Sequence, residues 1–136
     1  MGGVLIGQES SHFTPAICRH RNAFHMVFVA ANETGDLLHA VSSDGVTWTR
    51  RNNVRQSTNA APAIASVNDR LRVVFLANND TRELLFATFD DAAGVWIGNT
   101  VVGGLFPRTA PSLQVVGKRL FVYYQGDRFL ETADLT

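Results

Sequence analysis

The sequence predicts an all-β fold made of β-propeller blades, each a sheet of four antiparallel strands. Three blocks of similar pattern follow one another and open with Pro15, Pro62 and Pro111, which are 47 and 49 residues apart. Within each block, short apolar runs alternate with clusters of Gly, Asn and Asp, which is typical of strands joined by turns. A period in the forties with four short strands is typical of a propeller, so we predict three blades per chain.

The elements follow the same order in each block. The first strand opens at the proline, where the missing N–H costs no ladder hydrogen bond. A polar turn leads to a dense apolar second strand, and a polar link leads to a third strand of alternating apolar and polar residues. A fourth strand begins at Trp48 in the first block and at Trp96 in the second. The predicted blades cover about residues 14–57, 59–104 and 106–136 of one repeat domain, residues 1–136.

The hairpin between the third and fourth strands is clearest at Leu37–Trp48, which reads LLHAVSSDGVTW. An Asp-Gly pair between apolar runs is a strong hairpin signal, because glycine readily adopts the positive φ of a tight turn. A related segment returns at Leu84–Trp96, and a third copy ends the chain as FLETADLT. We interpret these recurring segments as structural turns rather than as catalytic motifs. The turn residues are Asp44, Gly45, Trp48, Gly94 and Trp96.

The third block stops after its third strand. Residues 3–8 (GVLIGQ) resemble the fourth strand of the other blocks, such as NTVVG at residues 99–103. Three blades are too few to close a ring, which usually has four to eight. We therefore predict a homodimer in which residues 3–8 of each chain complete the third blade of the partner, giving one six-bladed ring. The alternative is that the sequence is a piece of a longer propeller.

The composition points away from several classes of function. Twelve basic and twelve acidic residues cancel, so no basic surface would attract nucleic acid, and no apolar run reaches the roughly 20 residues of a membrane helix. No signal peptide is recognisable, and the single Cys18 cannot form an internal disulfide. The four histidines show no metal-ligand spacing. We predict no cofactor, metal, nucleic-acid partner or membrane partner, and the sequence leaves the localisation open.

Polar clusters recur at equivalent places in the first two blocks. One set lies in the link between the second and third strands, and the other lies just before the opening strand. Amide, hydroxyl and charged side chains can hydrogen-bond sugar hydroxyls, and repeated weak sites gain avidity. The same residue types also form turns, so a purely structural role stays open. The candidate ligand-binding residues are Gln8, Ser10, Asn32, Glu33, Asp36, Gln56, Ser57, Asn59, Asn79, Asp80, Arg82 and Glu83.

The segment Ser42–Trp48 resembles the Asp-box of sialidase-type propellers, although one residue is missing between Asp44 and Gly45. The repeated openings and links also resemble those of bacterial sugar-binding propellers and sialidase-like lectins, over nearly the whole chain. The resemblance implies blades that bind glycans. Lectin-like carbohydrate binding is therefore the predicted function, with glycans as partners.

The residues themselves argue against an enzyme. Glycosidases need two carboxylates about 5–9.5 Å apart, and a solvated turn explains each acidic residue here, Asp127 included. Tyr123 and Tyr124 lie in an apolar run, and the Arg-Ile-Pro motif of sialidases is absent. We predict no catalytic residue and no enzymatic activity. Two alternatives stay open: a fragment of a glycoside hydrolase, either sialidase-like or similar to the five-bladed furanosidases, and a structural or engineered propeller fragment without a ligand.

Overall fold

A computed structural model describes the protein from residue 9 to residue 136, apart from the side chains of residues 50–52 and 99. The predicted strand at residues 3–8 and the candidate residue Gln8 lie outside this part of the chain. The described residues form eleven strands: β1 (Ala16–His20), β2 (Ala23–Val29), β3 (Asp36–Ser42), β4 (Thr49–Ser57), β5 (Ala63–Val67), β6 (Arg70–Leu76), β7 (Leu84–Asp90), β8 (Val95–Val102), β9 (Ser112–Val116), β10 (Arg119–Gln125) and β11 (Leu130–Asp134).

The strands form three antiparallel sheets, in each of which neighbours in the sequence are neighbours in space. The first sheet has the order β1-β2-β3-β4, the second β5-β6-β7-β8 and the third β9-β10-β11. The prediction of an all-β fold is confirmed, since residues 9–136 contain strands and turns without a helix. Accordingly, this part of the chain offers no helix that is long and apolar enough to cross a membrane.

The second sheet lies between the other two, and both of its faces are apolar. On one face, the fully buried Val73 and Phe75 pack against the first sheet. On the other face, Val74 packs against Val122 of the third sheet, and both are also fully buried. Since successive side chains of a strand point to opposite faces, the continuous apolar run of β6 supplies both contacts. The sequence therefore places the main core on the two sides of the second sheet.

The third sheet is open on its outer side. The outer edge of β11 has no partner strand among residues 9–136, although β4 and β8 occupy that place in the other two sheets. Phe129 and Leu130 next to this edge are 73% and 82% exposed. Unpaired strand edges beside exposed apolar groups favour association with further strands. The six-bladed homodimer that would use residues 3–8 to fill this place stays a prediction.

The two ends of the sheets differ in the connections that they carry. Short turns join the strands at one end, which we call the turn face; they include the β1–β2, β5–β6 and β9–β10 turns and the β3–β4 and β7–β8 hairpins. The other end, which we call the groove face, carries the loops at residues 30–35, 77–83 and 126–129. The connections between sheets at residues 58–62 and 103–111 lie there as well. This division decides which side chains can share a site.

The β3–β4 and β7–β8 hairpins use the same turn chemistry despite their different lengths. Asp44 Oδ1 accepts the backbone N–H groups of Val46 and Thr47 at 2.8 Å each. Asp90 Oδ1 likewise accepts the N–H groups two and three residues ahead, at 3.0 and 3.1 Å. A carboxylate that binds two N–H groups closes a tight turn without any further partner. The repeated aspartate therefore has a sufficient structural role on the turn face.

Glycine and tryptophan complete these hairpins. Gly45 and Gly94 have φ angles of +81° and +71°, a region that side-chain-bearing residues rarely adopt. The indole of Trp48 donates a hydrogen bond of 3.2 Å to the Gly45 carbonyl oxygen. Trp96 instead packs against the core between the first and second sheets. The two tryptophans thus occupy equivalent places in the sequence and different environments in the fold.

Acid is expected to weaken the β3–β4 hairpin through Asp44. Hydrogen bonds from Thr47, Val46 and Ser42 lower the pKa of Asp44 to about 2, from an ordinary value of 3.8. Because the folded pKa is the lower one, the stabilisation is complete above about pH 4 and is lost as the pH falls through about 2. The thermal midpoint of the native protein should fall more steeply below pH 4 than that of Asp44→Asn, measured by circular dichroism. Asp80→Asn, in an exposed loop, is the control and should behave as the native protein; equal acid sensitivity in all three proteins would contradict the assignment.

Candidate functional site

The groove face carries two cavities of ligand size. The first groove, of about 450 Å³, lies where the first and second sheets meet. The second groove, of about 360 Å³, lies between the connection at residues 103–111 and the loop at residues 126–129. Ligand sites in proteins start at about 300 Å³, so each could hold part of a small molecule. The first is lined by His12, Phe13, Val29, Ala31, Asn32, Glu33, Gly35, Thr58, Asn59 and Asn78, and the second by Gly104, Phe106, Gly126, Asp127, Arg128, Phe129 and Glu131.

Three of the predicted ligand-binding residues, Asn32, Glu33 and Asn59, meet in the first groove. Asn59 Nδ2 donates a hydrogen bond of 3.2 Å to the Asn79 carbonyl oxygen, which links the connection between the sheets to the next loop. Among the described residues of the lining, Glu33 alone carries a carboxylate. The first groove therefore offers amides, one carboxylate and the ring of Phe13, a set that suits binding rather than two-carboxylate catalysis.

The recurring asparagines of the groove face form their own loops. Asn32 Oδ1 accepts both the N–H and the hydroxyl of Thr34, at 3.0 and 2.6 Å. Asn79 Oδ1 accepts the same two groups of Thr81, at 2.9 and 2.5 Å. Asparagine favours turns for this reason, because its side-chain oxygen replaces a backbone acceptor. The repeat that suggested binding therefore has a structural explanation at these two oxygens.

The other predicted residues lie on the groove face outside the linings of the two grooves. Ser10 is exposed ahead of β1. Asp36 and Ser57 are partners across β3 and β4. Arg82 contacts the second groove through Asp127. The remaining ones are at the end of β4 (Gln56) and in the loop at residues 77–83 (Asp80 and Glu83).

Replacing Gly35 with alanine is expected to cost about 3 kcal/mol of stability, because backbone strain and a collision add. Its φ is +71°, and a Cβ atom would lie 2.7 Å from the Thr58 carbonyl oxygen and 2.9 Å from Asn78 Nδ2. Gly94→Ala is the matched control: its φ is also +71°, but nothing lies within 4 Å of the added atom. That variant should lose about 1–2 kcal/mol, the cost of the left-handed conformation alone. Urea unfolding compares the two, and equal losses would show that the close approach is not tight.

Asp127 in the second groove is held by two arginines. Its Oδ1 lies 2.7 Å from Arg108 Nε and 3.5 Å from Arg82 Nη1. The hydrogen bond and charge of Arg108, and then those of Arg82, lower the pKa of Asp127. The longer contact is a weak one, since Arg82 Nη1 is buried without a hydrogen bond of good geometry. Asp127 therefore stays ionised when the solution becomes acidic.

Glu131 brings a second carboxylate to the same groove. The register of the third sheet places Glu131 opposite Tyr124, whose hydroxyl hydrogen-bonds it. Burial and then this contact raise the pKa of Tyr124, so the hydroxyl stays protonated and donates to Glu131. Gly126 leaves the space for the carboxylate, because a Cβ atom there would lie 2.5 Å from Glu131 Oε2. Tyr124 and the open space at Gly126 therefore position Glu131.

Glycoside hydrolysis uses two carboxyl groups at one site, one as the acid and the other as the base or nucleophile. The rings of Phe106 and Phe129 flank the groove and are 48% and 73% exposed. Aromatic faces of this kind pack against the apolar side of a sugar ring. Residues 9–136 contain no group of three or more His, Cys, Asp or Glu side chains that could hold a metal ion. The second groove therefore brings two carboxylates and two aromatic rings together.

Sequence reasoning missed this groove. Phe106, Asp127, Phe129 and Glu131 were not among the predicted site residues, and Asp127 was attributed to a solvated turn. The two carboxylates meet only because the β10–β11 hairpin folds back, which no local motif reveals. One signal was present: the third loop reads GDRF where the first two have an asparagine followed two residues later by a threonine.

No protein-family model matches the sequence, and a search of curated proteins finds no similar protein. Solved structures do match in fold. The GH43B protein of the Bacteroides ovatus xyloglucan PUL aligns at a TM-score of 0.70 and 17% identity, over 94% of this chain and 28% of its own. The exo-β-1,3-galactanase of Phanerochaete chrysosporium with galactose aligns at 0.69 and 15%, over 93% and 36%. The α-L-arabinofuranosidase of Clostridium thermocellum aligns at 0.67 and 14%, over 96% and 53%.

These likenesses confirm the β-propeller fold, since they extend over almost the whole chain. The chain spans between 28% and 53% of the length of these structures. They do not support the sialidase-like and lectin side of the sequence interpretation, because the matching proteins are described as GH43 proteins and glycoside hydrolases. What the chain shares with these proteins is therefore the β-propeller fold.

The prediction that the chain is not an enzyme is wrong in the light of these comparisons. The galactanase and the arabinofuranosidase that share its fold are enzymes by description. The described chain also brings two carboxylates, Asp127 and Glu131, into the lining of one groove. The sequence shows Asp127 in a turn and Glu131 in a strand, and the β10–β11 hairpin carries both residues.

Proposed function

We propose that the chain is part of a glycoside-hydrolase propeller and that its second groove cleaves glycosidic bonds. The observation that carries the proposal is the pairing of Asp127 with Glu131 in one groove of a fold shared with glycoside hydrolases. Hydrolysis of a glycoside needs a carboxylic acid and a carboxylate on either side of the bond. The geometry supplies both groups and two aromatic rings beside them.

The environments of the two carboxylates suggest their roles. Asp127 lies beside Arg108 and Arg82 and stays ionised, so it cannot donate a proton. It is therefore the base that activates water, or the nucleophile that attacks the anomeric carbon. Glu131 is then the acid that protonates the departing glycosidic oxygen. The Tyr124 hydroxyl and the open space at Gly126 orient Glu131 for that transfer.

We propose that the first groove binds neighbouring sugars of the same glycan. This proposal retains glycan binding from the lectin prediction. It is supported by Asn32, Glu33 and Asn59, which line one cavity on the same face as the second groove. Amide and carboxylate groups hydrogen-bond sugar hydroxyls, and Phe13 adds an apolar surface. Binding there would hold a long substrate while the second groove acts on it.

The open side of the third sheet calls for completion by further strands. We propose that a second copy of the chain supplies them, as in the predicted homodimer. The exposed Leu130 and the unpaired edge of β11 support a covered surface at this place. Sedimentation at micromolar concentration should give twice the mass of one chain, and a single-chain mass would contradict the dimer.

The proposed activity is tested by hydrolysis. The full chain is incubated with 4-nitrophenyl α-L-arabinofuranoside, 4-nitrophenyl β-D-xyloside and β-1,3-linked galactobiose. Release of nitrophenol or galactose above the rate without protein is the expected result. A folded protein that hydrolyses none of them and binds none of them in calorimetry would refute the proposal. Binding without hydrolysis would support the lectin alternative instead.

A further inference from the structure

The turn face holds a hydrogen-bonded chain of three side chains that the proposed function does not use. His20 at the end of β1 contacts Ser66 on β5, with 2.7 Å between Nδ1 and Oγ. Its other ring nitrogen, Nε2, lies 3.0 and 3.1 Å from the two carboxylate oxygens of Asp91 in the β7–β8 hairpin. The serine, the imidazole and the carboxylate thus follow one another at hydrogen-bond distance, although they come from two sheets.

The order of the contacts suits one tautomer of a neutral His20 ring. An ionised carboxylate only accepts hydrogen bonds, so Nε2 of His20 carries the proton that is donated to Asp91. In a neutral imidazole, Nδ1 is then an acceptor, and it takes the hydroxyl proton of Ser66. This is the arrangement of an activated nucleophile: a hydroxyl that donates to a base, and a base whose tautomer is set by a third group.

Burial makes the arrangement rigid. His20 is 2% exposed, and its ring meets His25 edge-on at a centroid distance of 5.5 Å. Ser66 is only partly buried. A buried base with a fixed tautomer and a more accessible hydroxyl favours proton transfer to the base, because no solvent has to rearrange around the imidazole.

A cavity and a cation lie beside the hydrogen-bonded side chains of Ser66, His20 and Asp91. The cavity, of about 420 Å³, is lined by His20, Asp91 and Arg21 among others, and Ser66 contacts it only through the His20 ring. Arg21 is anchored by Asp69 at 3.0 and 2.8 Å, and its Nη2 lies 3.7 Å from Asp91 Oδ2. The guanidinium therefore lies on the Asp91 side of the imidazole and helps to position that carboxylate. The turn face thus combines a hydroxyl, an imidazole and an orienting carboxylate.

We propose that Ser66, His20 and Asp91 form a second reactive site, which transfers the acyl group of a carboxylic ester. Ser66 Oγ bonds to the ester carbonyl carbon while its proton moves to His20 Nδ1, and the carbonyl oxygen takes up the negative charge. The bond from carbon to the alkoxy oxygen then breaks, and the proton on Nδ1 goes to the departing alcohol. Water attacks the acyl-serine, gives its proton to Nδ1, and the carboxylic acid leaves as Ser66 regains its proton.

A fluorophosphonate probe tests the site directly, because Ser66 Oγ would bond to phosphorus and displace fluoride. We expect one adduct per chain by intact mass, located at Ser66 by tandem mass spectrometry. The protein should also hydrolyse 4-nitrophenyl acetate. Asp91→Asn, which removes the fixed tautomer, should slow labelling by a factor on the order of 10²–10⁴. Ser66→Ala should abolish it.

Ser112→Ala is the matched control, since Ser112 also lies on an inner strand, β9, and is exposed. It should be labelled as fast as the native protein. Circular dichroism checks that the variants are folded, and the smaller side chain of Ser66→Ala leaves the sheets intact. A native protein that takes up no probe, or a Ser66→Ala variant labelled as fast as the native protein, would overturn the proposal. Labelling of Asp91→Asn at the native rate would show that Asp91 does not set the tautomer of His20.

Discussion

Phe75→Ala is expected to lower the free energy of unfolding by about 3–5 kcal/mol, which is the cost of removing a fully buried aromatic ring. Phe75 is 0% exposed and lies in the core between the first and second sheets. Its neighbours there include Val29 and Leu37 of the first sheet, which are also fully buried. The loss has two parts, the transfer of the ring to water and the cavity that the flanking sheets cannot close.

The measurement is urea unfolding followed by tryptophan fluorescence, because Trp96 packs against the same core. Many small domains are stable by only 5–15 kcal/mol, so Phe75→Ala should shift the midpoint strongly or leave the chain partly unfolded at room temperature. Ile97→Ala is the control. Ile97 is 53% exposed on β8, and its replacement should cost at most about 0.5 kcal/mol. Similar losses in the two variants would mean that the first and second sheets do not share a tight core.

Periodicity was enough to predict the fold of these sheets. The apolar run of β6 and the polar turns around it specify a strand that is buried on both faces, and the second sheet has that position. The Asp44 turn could be derived in the same way, because its hydrogen bonds join residues within three positions of one another. Local chemistry is visible in the sequence when the partners are close in the chain.

The candidate site depended on longer-range geometry. Glu131 and Asp127 are four residues apart in the sequence, yet their shared groove also needs Phe106, which comes from the connection at residues 103–111. Arg82 reaches Asp127 from another sheet. A pattern within one repeat cannot predict contacts that arise from packing two different sheets. The third loop, whose sequence departs from that of the first two, is therefore the local feature that points to this groove.

The Asp127→Asn variant is expected to lose hydrolytic activity by a factor of about 10²–10⁴ in kcat/KM, the range for a missing acid–base group. The amide has nearly the same shape but no charge, so it can neither activate water nor attack the anomeric carbon. The fold should survive, because the Asp127 side chain is 69% exposed and its ion pair with Arg108 is a surface one. Asp80→Asn is the matched control, since Asp80 lies in the equivalent loop of the second sheet and outside the groove lining.

The pH dependence of activity distinguishes an effect of the Asp127 charge from an effect of the shape of its side chain. Arg108 is the main cause of the lowered pKa of Asp127, so Arg108→Gln should raise that pKa. Because Asp127 acts when ionised, activity should then disappear at a higher pH than in the native protein, and the acid limb of the kcat/KM profile should move upward. Asp127→Asn should show no such limb from this residue. An unchanged acid limb in Arg108→Gln, together with native activity in Asp127→Asn, would remove Asp127 from the mechanism and leave the second groove with a binding role.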